Sequence, residues 1–193
     1  LLVAGLSVRS YLRGGFLNVL LLGCGVLAFG FSSFTAGWLI RPPYGPNPTL
    51  TVHNVGVLFA SVCFFSSALS AFRRVGLETE LARRVPLAGL SYLGILLLVT
   101  LLTASTILDW TPPFFVDGTG PTVLRQAVLA VSVTFLVVSA ILTLSVYRER
   151  RSGFLLYSVI AMLLIGSGLG AIAMGTPGSP LSWLGRAAQY LGD

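Results

Sequence analysis

The sequence predicts an all-α protein, a polytopic bundle of transmembrane helices. Hydrophobic residues occupy 55% of the 193 positions and charged residues only 9%, and the mean hydropathy is +0.90. A soluble domain carries about 25% charged residues, so this chain has too little charge to keep its surface hydrated. The apolar residues also form runs of about 20, which is the length that a helix needs to cross a bilayer. Barrel strands are shorter and alternate in polarity.

The apolar runs succeed one another in seven segments, five of them complete and two partial. Residues 1–8 read as the tail of a first helix, which Arg9 and Arg13 interrupt. The stretches 41–48 and 109–121 are rich in proline and glycine and are predicted to be loops, and 76–84 is polar. The complete runs cover 15–40, 51–72, 86–108, 122–147 and 154–174, and 181–193 opens a seventh.

The two ends of the chain predict a single transmembrane domain, 1–193, that belongs to a longer protein. The chain begins at Leu1 rather than at a methionine, and Asp193 falls inside an apparent helix. We therefore expect further cytoplasmic domains after residue 193.

The arginines predict the orientation of the bundle. Nine of the twelve lie on alternate connections, at 9–13, 73–84 and 148–151. Because basic residues mark the cytoplasmic loops of membrane proteins, these connections are predicted to face the cytoplasm. The connections that carry Arg41, Asp109 and Asp117 then face outwards. The predicted location is the inner (plasma) membrane, with a cytoplasmic C-terminus.

Composition also excludes several classes of protein. The sequence has no lysine, which rules out a retinal Schiff base, and its single histidine cannot supply both axial ligands of a bis-histidine haem. The net charge of +6 is not gathered in a solvent-facing patch, so no nucleic-acid partner is predicted. A metal site built from Cys24, Cys63 and His53 would lack a fourth protein ligand. No catalytic or phosphate-binding motif is visible, and the residues do not identify a cofactor.

The two cysteines fall at similar depth in neighbouring antiparallel runs, which can bring them close together. A buried thiol usually acts as a small hydrophobe, and we interpret Cys24 and Cys63 in that way.

Polar residues at three places do not suit a plain lipid-facing helix, and the predicted topology puts all three near the outer face. Ionisable groups inside a bundle are expensive and usually point to a partner or a cavity. One hypothesis is a ligand pocket beneath the outer loops. The alternative is that the arginines reach the interface or pair with Asp109 and Asp117, while His53 is a hydrogen-bonded interfacial residue. The candidate ligand-binding residues are His53, Asn54, Arg125, Gln126, Arg186 and Gln189.

Four segments together resemble a known sensor region: YLR at 11–13, VHNVG at 52–56, GTGPTVLRQ at 118–126 and WLGRAAQYLG at 183–192. They are similar to the N-terminal multi-pass membrane-associated sensor region of prokaryotic sensor histidine kinases and related signalling proteins. The resemblance implies a seven-helix input module of a two-component system, homodimeric and continued by cytoplasmic PAS and kinase domains in the same chain. The last helix would be the output connection. The phosphoacceptor of such a kinase is not among these residues, because His53 is predicted to lie on the outer side.

A second hypothesis of a different class is a structural or accessory subunit of a larger membrane complex, in which the polar residues would be protein contacts. Proton-coupled transport is disfavoured because the five complete apolar runs hold no acidic residue. The sensor and the subunit differ in the chain after Asp193, since a sensor continues into PAS or kinase domains and a subunit ends shortly after that residue.

Overall fold

A computed structural model describes residues 2–40, 44–73, 80–116, 118–174 and 180–192, and these residues confirm the all-α prediction. They form seven α-helices and one two-stranded hairpin. The elements are α1 (Leu2–Gly14), α2 (Leu17–Leu39), α3 (Pro46–Phe72), α4 (Leu81–Ile107), β1 (Phe115–Val116), β2 (Gly120–Pro121), α5 (Val123–Arg150), α6 (Gly153–Met174) and α7 (Pro180–Gly192).

Five of these helices, α2 to α6, are long and apolar enough to cross a membrane. The shortest of the five, α6, has 22 residues, and at 1.5 Å per residue it matches the hydrocarbon thickness of about 30 Å. The first and last helices have 13 residues each, as expected for partial segments.

Three helix boundaries differ from the predicted ones. The first helix continues through Arg9 and Arg13 to Gly14, because both arginine side chains are exposed and impose no break. The third begins at Pro46, inside the predicted loop, since a proline has no N–H to lose in a first turn. The fourth begins at Leu81 and carries Pro86 inside it, where only one turn precedes the proline.

The helices pack in a chain of neighbours in which α2 and α3 are central. Helix α2 contacts α1, α3 and α4, and α3 in turn contacts α4 and α5. Beyond α5 come α6 and then α7. The main hydrophobic core lies where α2, α3, α5 and α6 meet, and it includes Phe29, Val57, Phe64, Leu136 and Met162.

Small residues let α2 and α3 approach closely. A Cβ on Gly56 would collide with the side chain of Ser32, and a Cβ on Gly25 would lie 2.7 Å from the ring of Phe64. Close backbone approach at small residues is the usual mode of helix association in membranes.

The sequence also predicts close helix contacts at Gly94, Gly166, Gly168 and Gly170. The prediction is confirmed at Gly168, which lies against Gly185. It is wrong at Gly94 and Gly170, where no described neighbour lies within 4 Å of an added Cβ. Gly94 lies on α4, much of which is exposed along the bundle surface.

The hairpin between α4 and α5 is attached to the start of α3. The backbone N–H groups of Phe114 and Phe115 donate to Asn47 Oδ1 at 2.8 and 3.1 Å. The hydroxyl of Thr122 accepts from the backbone N–H of Arg125 at 3.4 Å and caps α5. The loop that connects α4 to α5 is therefore ordered by two short polar side chains.

Candidate functional site

The predicted residue His53 lies at the contact between α2 and α3. Its Nδ1 is 3.4 Å from the hydroxyl oxygen of Ser33 on α2, and its ring meets that of Phe29 edge-on with the centroids 6.1 Å apart. The histidine is half-buried. This environment agrees with the alternative interpretation of a hydrogen-bonded histidine near the outer end of the bundle.

Asn54, the next residue, is only 3% exposed. Its Nδ2 makes no hydrogen bond with any of the described residues. A buried amide N–H without an acceptor costs a few kcal/mol, so Asn54 lowers the stability of the folded bundle.

Arg125 and Gln126 occupy the first turn of α5. Arg125 is 6% exposed, so it does not extend along the surface to the interface as the snorkelling alternative supposes. Gln126 Nε2 donates to the carbonyl oxygen of Ala173 at 3.2 Å, and this bond links the start of α5 to the end of α6. The proposed partner Asp117 lies outside the described residues, as do Arg41 and Arg74.

Arg186 and Gln189 lie on α7, the last helix. The side chain of Arg186 is outside the described part of the structure. Gln189 is 8% exposed and packs against Gly168 of α6, where a Cβ would lie 2.8 Å from its Cγ. Its Nε2 makes no hydrogen bond with the described residues.

Glycines bring the backbones of α6 and α7 close together. An added Cβ on Gly185 would lie 2.6 Å from the carbonyl oxygen of Gly168, and one on Gly192 would lie 2.8 Å from that of Ala161. The two backbones therefore approach closely, and the apolar side chains of Leu164, Ile165 and Ile172 also lie against these glycines. Gln189 is a buried polar residue in this contact.

The predicted site residues thus lie at successive helix contacts. His53 joins α3 to α2, Gln126 joins α5 to α6, and Gln189 joins α7 to α6. A single outer pocket formed by all six candidates stays a prediction. Two cavities of the bundle border Phe154 and Met162, and none of the five candidate side chains that the structure describes lines either of them.

The larger of these cavities lies in the half of the bundle nearer to the 148–151 connection. It has a volume of about 180 Å³ and is bounded by α1, α2, α3, α6 and the end of α7. Four aromatic rings line it, those of Phe29, Phe64, Phe154 and Tyr157. Sequence reasoning missed this cavity, because its wall is made of residues that individually look like ordinary core or lipid-facing positions.

The smaller cavity, of about 40 Å³, adjoins the first and shares Leu22, Phe154, Ser158 and Met162 with it. Its other walls come from α2, α3 and α5 and are more polar, with Asn18, Ser67 and Thr143. The hydroxyl of Ser67 donates to the carbonyl oxygen of Asn18 at 2.6 Å, which joins α3 to the start of α2.

The two cysteines share one small cluster with Tyr11 and Tyr92. This agrees with the expectation that α2 and α3 bring them to similar depth. Neither cysteine forms a disulfide, and the described residues contain no group of three or more potential metal ligands of the His, Cys, Asp or Glu type.

Three comparisons with known proteins found no match. No family model, curated protein or solved structure matches it. Fold and composition alone make it a multi-pass helical membrane protein. Its function must be inferred from its own residues.

Proposed function

We propose that this chain is the membrane-embedded input domain of a prokaryotic signalling protein, a sensor histidine kinase of a two-component system. In this proposal a ligand or membrane change alters the bundle, and α7 carries the change to cytoplasmic domains in the same chain. Two copies act together as a homodimer in the inner membrane, with the C-terminus in the cytoplasm.

The observation that carries the proposal is the contact between α6 and α7. Gln189 buries an amide N–H that has no acceptor among the described residues. Polar groups inside a bundle are expensive and are usually kept for function. A second arrangement of α7, or the second copy, that supplies an acceptor would recover this free energy and make two states close in stability.

The glycines at the same contact favour movement of α7. Because Gly168, Gly185 and Gly192 carry no side chain at this contact, we infer that α7 can turn or slide on α6 with shifts of the neighbouring Ile165 and Ile172 side chains. Packed contacts of this kind switch between discrete arrangements. The distribution of the arginines supports the orientation in which α7 points to the cytoplasm.

The test is Gln189→Leu in the full natural gene product, in membrane vesicles, with autophosphorylation measured from labelled ATP. Leucine has a similar volume and no N–H to satisfy, so we expect it to hold α7 in one arrangement. Autophosphorylation should then change severalfold and no longer respond to the stimulus.

The matched control is Ala187→Leu, which adds a leucine side chain to the same helix at an exposed position. We expect this control to keep a regulated activity. Equal, regulated activity in both variants would contradict the role of α7. A gene product with no cytoplasmic kinase would overturn the sensor proposal and favour the accessory subunit.

A further inference from the structure

Helices α1 and α4 lie antiparallel, and two contacts fix how they are aligned. Near one end of the contact, the hydroxyl of Tyr92 donates to the carbonyl oxygen of Ala4 at 2.9 Å. Near the other end, Arg84 Nη1 donates to the carbonyl oxygens of Leu12 and Arg13 at 3.2 and 3.3 Å. The end of α1 and the start of α4 therefore lie side by side at the same end of the bundle.

Three exposed arginine side chains lie where these two helix ends meet. Arg9 and Arg13 are four residues apart and share one face of α1. The alignment of the helices puts Arg83, on the first turn of α4, level with Arg13. The neighbouring Arg84 holds the two helices together through its bonds to the last carbonyl groups of α1, where a cation also suits the helix dipole.

The charge at this place is strongly positive. Among the described residues of 2–16 and 80–90, four are arginines and Glu80 is the one acidic residue. The planar fork of an arginine side chain matches the oxygen atoms of a phosphate group. Anionic lipid head groups carry such phosphates and attract basic residues at the ends of membrane spans. The charge therefore fits a membrane phosphate.

Exposed leucines continue from the arginines towards the middle of the membrane. On α1, Leu6 lies three residues before Arg9 and is 55% exposed. On α4, Leu87 and Leu90 follow Arg83 by about one and two turns and are 38% and 68% exposed. Because α4 is long and apolar enough to cross a membrane, its exposed leucines face acyl chains. The surface is charged at its end and apolar further in, as a phospholipid is.

This surface lies away from both ends of the sequence. Leu2 is at the opposite end of α1, and Gly192 borders the larger cavity together with Val3. Val3 is six residues before Arg9, and at 3.6 residues per turn the two side chains are on different sides of α1.

We propose that an anionic phospholipid of the surrounding membrane binds to this surface, which consists of Arg9, Arg13, Arg83, Leu6, Leu87 and Leu90. The guanidinium groups hold the phosphate oxygens, and the leucines contact the acyl chains. A zwitterionic lipid binds more weakly, because its ammonium group is repelled by the same arginines. This lipid site goes beyond the proposed sensing function and does not depend on it.

The experiment measures lipid binding directly. The full natural protein in detergent micelles is titrated with a phosphatidylglycerol that carries a photoreactive group on one acyl chain, and the labelled peptides are mapped by mass spectrometry. We expect saturable labelling of α1 and of the first half of α4. Unlabelled phosphatidylglycerol should compete for this site about tenfold better than phosphatidylcholine.

A triple variant removes the three exposed charges of the site, and a matched control removes three exposed charges from the end of α5. The site variant combines Arg9→Gln, Arg13→Gln and Arg83→Gln, and the control combines Arg148→Gln, Arg150→Gln and Arg151→Gln. Because each basic residue beside an anionic lipid contributes about fivefold in affinity, the site variant should bind about tenfold more weakly or worse. The control should bind like the unmodified protein.

Three outcomes would overturn the proposal. Equal losses in the two triple variants would mean that total charge, rather than this surface, attracts the lipid. Equal competition by phosphatidylcholine would remove the preference for an anionic head group. Displacement of the probe by inorganic phosphate, but not by sodium chloride of the same ionic strength, would make this a site for a soluble anion. None of these outcomes affects the Gln189→Leu phosphorylation result.

Discussion

At the scale of single residues, the distance between helices is set by the smallest side chains. Gly56 on α3 faces Ser32 on α2, and there is no room for a methyl group between them. In a bilayer, where lipid tails are as apolar as leucine, such close contacts provide much of the attraction between helices. A single added carbon at this place therefore has a large effect.

We predict that Gly56→Ala lowers the free energy of unfolding by about 1 to 3 kcal/mol, because the added methyl forces α2 and α3 apart. The control is Gly30→Ala on α2, where no described neighbour lies within 4 Å, and alanine there should be neutral or slightly stabilising. Unfolding in mixed detergent micelles measures both changes. Equal stabilities for the two variants would contradict the close approach at Gly56.

Three side-chain amides of the bundle differ in whether they have a hydrogen-bond acceptor. Asn54 and Gln189 are both buried and each has an amide nitrogen without a described acceptor. Gln126, by contrast, is bonded to Ala173. All three are ordinary amide residues in the sequence. Only the structure shows which amide already has a hydrogen-bond acceptor and which could gain one if a helix moved.

At the scale of secondary-structure elements, a side chain on α3 orders the loop between α4 and α5. Asn47 Oδ1 accepts two backbone N–H groups, those of Phe114 and of Phe115 at the start of β1, which would otherwise lack these bonds. The loop thereby stays folded against the bundle.

We predict that Asn47→Ala releases this loop, since both N–H groups lose their acceptor, at a cost of about 1 to 3 kcal/mol. Hydrogen exchange at the amides of Phe114 and Phe115 should become about tenfold faster or more. Asn47→Asp keeps an oxygen at the accepting position and should exchange close to the unmodified rate. If the aspartate variant exchanged as fast as the alanine variant, the acceptor role of Oδ1 would be wrong.

Helix α7 is also best understood as an element. Its contact with α6 depends on Gly168, Gly185 and Gly192 together with one amide, Gln189. The sequence shows the amide and the glycines, but the register that places Gln189 on Gly168 comes from the fold.

At the scale of the whole molecule, the placement of the arginines and of the apolar runs together predicts how the bundle is oriented in the membrane. The basic connections at 9–13, 73–84 and 148–151 alternate with the poorly charged outer ones, and the five spans run between them. The bundle therefore has a definite predicted orientation.

This orientation is testable by labelling single cysteines with a membrane-impermeant maleimide in intact cells, in a background without Cys24 and Cys63. Thr119→Cys lies in the outer hairpin turn, and Ser152→Cys lies just after the arginines at the end of α5. We expect labelling at 119 in intact cells and at 152 only after permeabilisation, since positive loops stay in the cytoplasm. The reverse pattern would contradict the predicted topology.

The cavity is likewise a property of the whole bundle. It requires α1, α2, α3, α6 and α7 at once, and it lies on the side opposite to the predicted outer pocket. The candidate residues His53, Asn54, Arg125, Gln126 and Gln189 do not line it.

The sequence alone predicted that this protein lies in a lipid bilayer, how many helices are long enough to span it and how those helices are oriented. These depend on the length of apolar runs and the placement of twelve arginines, which are local quantities governed by transfer between water and lipid. Helix boundaries were predicted less well, as at Pro46 and Leu81. The N–H groups in the first turn of a helix have no partner inside the helix, so a proline or a charged residue is tolerated there and does not mark the boundary.

The tertiary structure decided which residues meet. The pairing of Gly56 with Ser32, the bonded state of Gln126, the unbonded amide of Gln189 and the aromatic cavity all depend on the rotation and register of one helix against another. In a bilayer, burying one apolar helix face rather than another gains little hydrophobic free energy, because lipid tails are apolar too. The periodicity of the sequence therefore does not identify these faces, and shape and hydrogen bonding between helices select them.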